Sequence, residues 1–89
     1  MLEVVVIKSA SYCVNCTDAE RIVNELAEKY PDIKPVIMVT GTPESMKYGI
    51  VTTPVVVLGK KIYSMGKPVI KAKVEGWIKK ELKLLQEKN

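Results

Sequence analysis

The spacing of apolar residues changes period along this chain, and each change marks an element. Val4-Val5-Val6-Ile7 is an unbroken β-branched run with no alternation. That is the pattern of a strand buried on both faces, and it predicts a strand over Glu3 to Lys8. Ser9-Ala10-Ser11 follows as a turn, and Lys8 reads as a solvated lysine at the strand end. From Cys13 to Tyr30 the period becomes helical. Cys16, Ala19, Ile22, Val23, Leu26, Ala27 and Tyr30 form one stripe, while Asp18, Glu20, Arg21, Asn24, Glu25 and Lys29 lie mostly off it. Pro31 stops this helix. Pro35 to Val39 is a second run apolar on both faces. Strand, helix, strand at this spacing implies a parallel pair joined by a right-handed crossover.

Thr42-Pro43-Glu44 carries the signature of a helix start, with Thr42 as N-cap, Pro43 at the first helical position and an acid in the first turn. Gly49 ends this short helix. A third strand runs over Thr52 to Leu58, with Pro54 near its start, where a missing N–H is tolerated. Gly59-Lys60 fits a two-residue hairpin turn, so Lys61 to Met65 pairs back as a fourth strand that Gly66 breaks. Pro68 opens a last helix whose stripe is Ile70, Val74, Trp77, Ile78, Leu82 and Leu85. Gly76 in its middle costs ~1 kcal/mol relative to alanine and has no visible reason. The expected order is β-α-β-α-β-β-α. This is an α/β fold, a four-stranded mixed sheet with three helices on both of its faces. No repeat or linker divides residues 1–89, so a single domain is expected.

Composition narrows the function. Hydrophobic residues make up 47%, too many for a disordered chain. A domain this small buries only ~60–65% of its unfolded surface, so its core must be simple. Met1-Leu2-Glu3 lacks a basic region, and Val4 to Ile7 is too short for a signal core or a membrane span, so the expectation is a cytoplasmic protein with no membrane contact. The net charge of +4 comes mostly from Lys60, Lys61, Lys67, Lys71, Lys73, Lys79, Lys80, Lys83 and Lys88. Glu75, Glu81 and Glu87 interleave with them, which reads as a solvated helix face with pairs of the Glu75–Lys79 kind. There is no arginine cluster and no nucleic-acid motif, so nucleic acid is not an expected partner.

The chemistry rests on Cys13 and Cys16, the only two cysteines. A loop of this length constrains little chain entropy, and a reducing compartment disfavours structural disulfides. Redox or metal chemistry is left. Histidine is absent, so there is no imidazole base or ligand. At a helix start, the first sulfur faces free N–H groups and the positive end of the dipole, which favour thiolate over thiol. Cysteines so placed have pKa values of ~3.5–7.5. The second sulfur, one turn along on the buried stripe, can close a disulfide back onto the first. Cys13 is therefore the expected nucleophile and Cys16 the resolving thiol. The alternative is a metal carrier, because two thiolates suit Cu(I), or a cluster shared between two chains. A closed zinc site is excluded by ligand count. Heavy-metal-transport domains also place such a pair after a first strand. They usually carry Met two residues before the first cysteine, where this chain has Ser11, and they lack the closing helix.

Taken together, the first strand, Tyr12-Cys13-Val14-Asn15-Cys16, its helix, Thr53-Pro54, the hairpin, Gly66 and the closing helix resemble the thioredoxin/glutaredoxin superfamily, in particular its minimal prokaryotic members. The resemblance covers nearly the whole chain. It implies a thioredoxin-like fold and a protein-disulfide reductase without a bound cofactor, working as a monomer on disulfide-containing proteins and recharged by a flavin-dependent disulfide reductase. It further implies that Pro54 is cis and lies against the cysteine pair, that Thr53 offers backbone hydrogen bonds to an extended substrate, and that Tyr12 and Gly66 belong to the substrate-binding surface. The chain departs from the usual patterns in four places. Val14-Asn15 replaces the Gly-Pro of thioredoxins and the Pro-Tyr of glutaredoxins. Tyr12 stands where thioredoxins usually have Trp. Ile7 occupies the place of their buried acid, leaving that proton-transfer role vacant. Lys67-Pro68 follows Gly66 where glutaredoxins carry the acidic pair that helps hold glutathione.

Overall fold

The Val4–Ile7 run lies in the middle of the sheet. A computed structural model describes residues 2–46 and 52–87, in which β1 (Leu2–Lys8), α1 (Val14–Lys29), β2 (Ile33–Val39), α2 (Pro43–Met46), β3 (Val55–Leu58), β4 (Lys61–Met65) and α3 (Lys71–Glu87) follow one another. The strands do not lie in chain order: the sheet runs β2-β1-β3-β4. β1 pairs parallel with β2 and antiparallel with β3, and β3 pairs antiparallel with β4, so the sheet is mixed. The inner positions of β1 and β3 explain why both strands are unbroken apolar runs. Val4 to Ile7 and Val55 to Leu58 are all buried.

The helix count needs correction. Only α1 and α3 are full helices; α2 is a single turn of 4 residues. The expected end of α2 at Gly49 lies outside the described residues. The two full helices also share one face, where the expectation put helices on both. Ala19, Ile22, Val23 and Leu26 of α1 and Val74 and Ile78 of α3 pack together on Leu2, Val4, Val6, Val56 and Leu58. Each Val, Leu or Ile among them contributes ~1.5–3 kcal/mol of burial. A smaller cluster of Val5, Ile7, Val55 and Val57 occupies the other face, with Val36 and Met38 packed against it.

Three further boundaries differ, the starts of β2, β3 and α3, with β3 beginning at Val55 and not at Thr52, while the hairpin turn falls where expected. β2 begins at Ile33 and is only partly buried beyond it, because it is an edge strand; that position also accommodates Pro35. The β3–β4 hairpin turns at Gly59 (φ 56°) and Lys60 (φ 73°), the left-handed pair a two-residue turn requires. Its register slips between Val56, opposite Ser64, and Val57, opposite Ile62, a bulge that accommodates Tyr63. α3 starts at Lys71, not Pro68: the Ile70 carbonyl accepts from the N–H groups of Lys73 and Val74, and the Ile70 side chain is exposed.

The lysine-rich helix is not simply solvated. Glu75 bonds Lys29 at the end of α1 and its C-cap Tyr30, while the expected partner Lys79 acts on it only through its charge. Glu81 is buried, and it accepts hydrogen bonds from the Tyr63 hydroxyl and the Lys61 ammonium of β4. Trp77 is a packing residue, half-buried, with its ring centroid 5.2 Å from that of Tyr63.

Candidate active site

The C-terminal end of β1 delivers the chain through residues 9–12 to Cys13, which is the N-cap of α1. Its backbone is extended (φ −149°, ψ 110°), as a cap residue requires, and its sulfur accepts the Cys16 N–H at 3.2 Å. Sulfur thus does the work that serine, threonine or aspartate oxygen does in most helices. The Cys13 carbonyl accepts the Thr17 N–H at 3.0 Å and the Thr17 hydroxyl at 3.1 Å, fixing the first turn. No acid stands in that turn to offset the dipole.

Cys13 and Cys16 are joined as a disulfide with Cα atoms 5.2 Å apart. Their surroundings differ. Cys16 is 2% exposed on the buried stripe of α1, whereas Cys13 is half-buried at the mouth of the site. Beside them opens a cleft of about 400 Å³ between the ends of β1 and β2 and the start of α1, with Lys8, Tyr12, Thr17 and Val39 among its walls.

The other expected site residues lie at the same end of the sheet. Ile7 pairs with Val55, which puts Lys8 and Pro54 side by side just beyond the pairing. The Thr53–Pro54 peptide bond is cis. The Pro54 carbonyl accepts the Gly66 N–H at 2.8 Å, so the two segments expected to meet the substrate are fastened together. Gly66 has a left-handed φ of 72°, and a Cβ there would come within 2.9 Å of Thr52 Cγ2. Only glycine fits both constraints. Tyr12 is 89% exposed, directly before Cys13. Thr53, Pro54 and Gly66 are not walls of the cleft; of the expected substrate-surface residues it takes only Tyr12. Ile7 is fully buried among Val5, Val55 and Val57, so the place of the vacant acid is apolar.

One interaction was misread in the sequence. Lys8 is not a freely solvated strand end: its ammonium lies 3.0 Å from Glu20 Oε1. The signal was weak, since partners 12 positions apart on a strand and a helix share no local pattern. The alternative of Cu(I) or cluster carriage gains no support: among the described residues no three or more potential ligands gather. No helix among them is long and apolar enough to cross a membrane.

Comparison with known proteins agrees with this geometry. The thioredoxin domain family matches residues 2–79. A thioredoxin of Methanocaldococcus jannaschii is 38% identical over 73 residues, spanning 79% of this chain and 85% of that protein. The oxidised form of mitochondrial thioredoxin 3 from Saccharomyces cerevisiae superposes with a TM-score of 0.69 at 22% identity, over 89% of this chain and 77% of its own. A designed protein superposes with a TM-score of 0.64 at 22% identity, over 96% and 76%. These two likenesses concern the fold alone. The chain belongs to the thioredoxin family, and with its Cys13–Cys16 pair it is a thiol–disulfide oxidoreductase.

Proposed function

We propose that this protein reduces disulfides in other proteins, with Cys13 as the attacking thiolate and Cys16 as the resolving thiol. The observation that carries the assignment is the inequality of the two sulfurs. Cys13, half-buried at the mouth of the site, is within reach of an incoming disulfide, and Cys16 at 2% exposure is not. Cys13 also sits at the helix N-terminus, where N–H groups and the dipole stabilise a thiolate.

In the reaction, the Cys13 thiolate attacks one substrate sulfur, the substrate S–S bond breaks, and the other substrate sulfur leaves with the electron pair. The Cys16 thiolate then attacks Cys13 Sγ, expels the remaining substrate sulfur and closes the intramolecular disulfide. Thr53, Pro54 and Gly66 form one wall for an extended substrate segment, and Tyr12 adds exposed aromatic surface on the way to Cys13. We assign the oxidised protein to recharging by a flavin-dependent disulfide reductase, and the working form to a cytoplasmic monomer.

Insulin reduction by dithiothreitol, followed as turbidity, tests the reading. The protein should accelerate it, Cys13→Ser should return it to background, and Cys16→Ser should accumulate a mixed disulfide. Full activity in Cys13→Ser would overturn the assignment.

A further inference from the structure

Resolution demands a thiolate from the more buried of the two sulfurs, in a site whose interior carries no acid. Cys16 is 2% exposed, Ile7 is fully buried and apolar, and the chain has no histidine. The proton must go to a group on the side of Cys16 that the cleft leaves open. Lys8 is a wall of that cleft together with both cysteines. Its ammonium is held 3.0 Å from Glu20 Oε1, and both side chains are about one-third exposed (37% and 34%), so they are in contact with solvent yet anchored. Glu20 lies four residues after Cys16 in α1, and residues at that spacing share a helix face. Glu20 therefore stands one turn along α1 from Cys16, outside the cleft's own walls, and is tied to the cleft by Lys8, the cation on the strand that lines it with both cysteines.

We propose that the Lys8–Glu20 pair is the proton-handling group of the resolving step, taking the part that a buried acid would otherwise play. This rests on the oxidoreductase assignment above and deepens it. Glu20, held by Lys8 beside the cleft, accepts the Cys16 thiol proton through intervening solvent. The Cys16 sulfur attacks Cys13 Sγ, the bond between Cys13 and the substrate breaks, and the electron pair departs on the substrate sulfur. The proton on Glu20 then returns to solvent or to the leaving thiolate. Lys8 is a positioning residue: it fixes the carboxylate and places positive charge beside the forming Cys16 thiolate. The other charged groups near this end of α1 are Asp18 and Arg21, which face each other at 3.9 Å, with Arg21 also reaching Glu25. From the loop, Tyr12 adds a phenol, and Thr53 and Pro54 on the neighbouring strand side contribute no charge.

The test is single-turnover reaction of the reduced protein with 5,5′-dithiobis(2-nitrobenzoate) across a pH series. Attack by Cys13 releases the first thionitrobenzoate, and resolution by Cys16 releases the second. Glu20→Gln and Lys8→Met should leave the first release within about twofold of wild type, slow the second by about tenfold or more near neutral pH, and recover as rising pH supplies hydroxide. Lys8→Arg should restore most of the rate, since it keeps charge and reach. Second-phase rates and pH profiles equal to wild type in both variants would overturn the proposal. So would a lowered melting temperature with an unchanged profile, which marks a purely structural pair. A wild-type protein that releases only one equivalent, or none, would instead overturn the oxidoreductase assignment.

Discussion

The Tyr30 hydroxyl and the Lys29 ammonium both donate to Oε2 of Glu75, at 2.6 and 2.5 Å, so a single oxygen ties the end of α1 to α3. The Lys29 hydrogen bond, and then that of Tyr30, hold the Glu75 carboxyl down at about 2. A folded value below the ordinary one stabilises the fold above the unfolded pKa, and that part is lost as pH falls through the folded pKa. The window here runs from about 4.5 down to about 2. Thermal midpoints of wild type should therefore fall more steeply across that window than those of Glu75→Gln. Parallel curves would show that the link is too solvent-screened to matter.

Tyr63 titrates at the other extreme. Burial first, and then its hydrogen bond to Glu81, push the phenol up to about 12. The raised value means stability present below the ordinary phenol range near 10 and lost as pH rises toward 12. Tyr63→Phe should remove that alkaline loss. It should also cost about 1–3 kcal/mol at neutral pH, because the buried Glu81 loses a donor. Urea midpoints at neutral and high pH measure both effects.

Gly66→Ala should damage stability and activity together. A left-handed alanine costs ~1–2 kcal/mol, and its Cβ would press on the Thr52 side chain 2.9 Å away. Thr52 leads directly into Thr53-Pro54, so the displacement reaches the wall proposed for the substrate. Insulin reduction should lose more than the stability change alone accounts for, which activity measured well below the melting temperature will show.

Tyr12→Ala separates recognition from chemistry. A side chain 89% exposed packs on little, so stability should stay within about ±0.5 kcal/mol. KM for a protein disulfide should rise several-fold, while reactivity toward a small disulfide holds.

Gly76→Ala should be a gain. Nothing lies within 4 Å of a Cβ built there, and the residue is exposed in the middle of α3. The expected benefit is about 1 kcal/mol, or roughly 4–8 °C in melting temperature for a domain of this size. Nothing in the structure explains why glycine stands there.

The elements that could be read along the chain are those whose cause is local. The α1 stripe named seven residues: Cys16, Ala19, Ile22, Val23 and Leu26 are buried, and Ala27 and Tyr30 are partly buried against the same core. The Val4–Ile7 run announced a two-sided strand and is one. The unequal exposure of the cysteines followed from the same periodicity. What could not be read depends on partners remote in sequence. Glu81 looks like any acid on a lysine-rich helix, and only the sheet brings Tyr63 and Lys61 to it. Lys8 and Glu20 meet because β1 passes beneath α1, which no period reveals. The bulge at Val56/Val57 leaves the apolar pattern of β3 untouched, and the sheet order is a matter of topology that alternation does not encode.

The cap of α1 carries a last consequence. In most helices the capping atom is chemically inert, so the first turn has one fixed strength. Here the atom that accepts the Cys16 N–H is the atom that reacts. In the proposed reaction it is in turn an anionic acceptor, one half of a bond to substrate and one half of a bond to its own chain, and an anion holds an N–H more firmly than a neutral sulfur does. The beginning of α1 therefore tightens and slackens once per turnover. Amide exchange at Cys16 and Thr17 becomes a built-in gauge of the redox state, readable from the backbone without touching either sulfur.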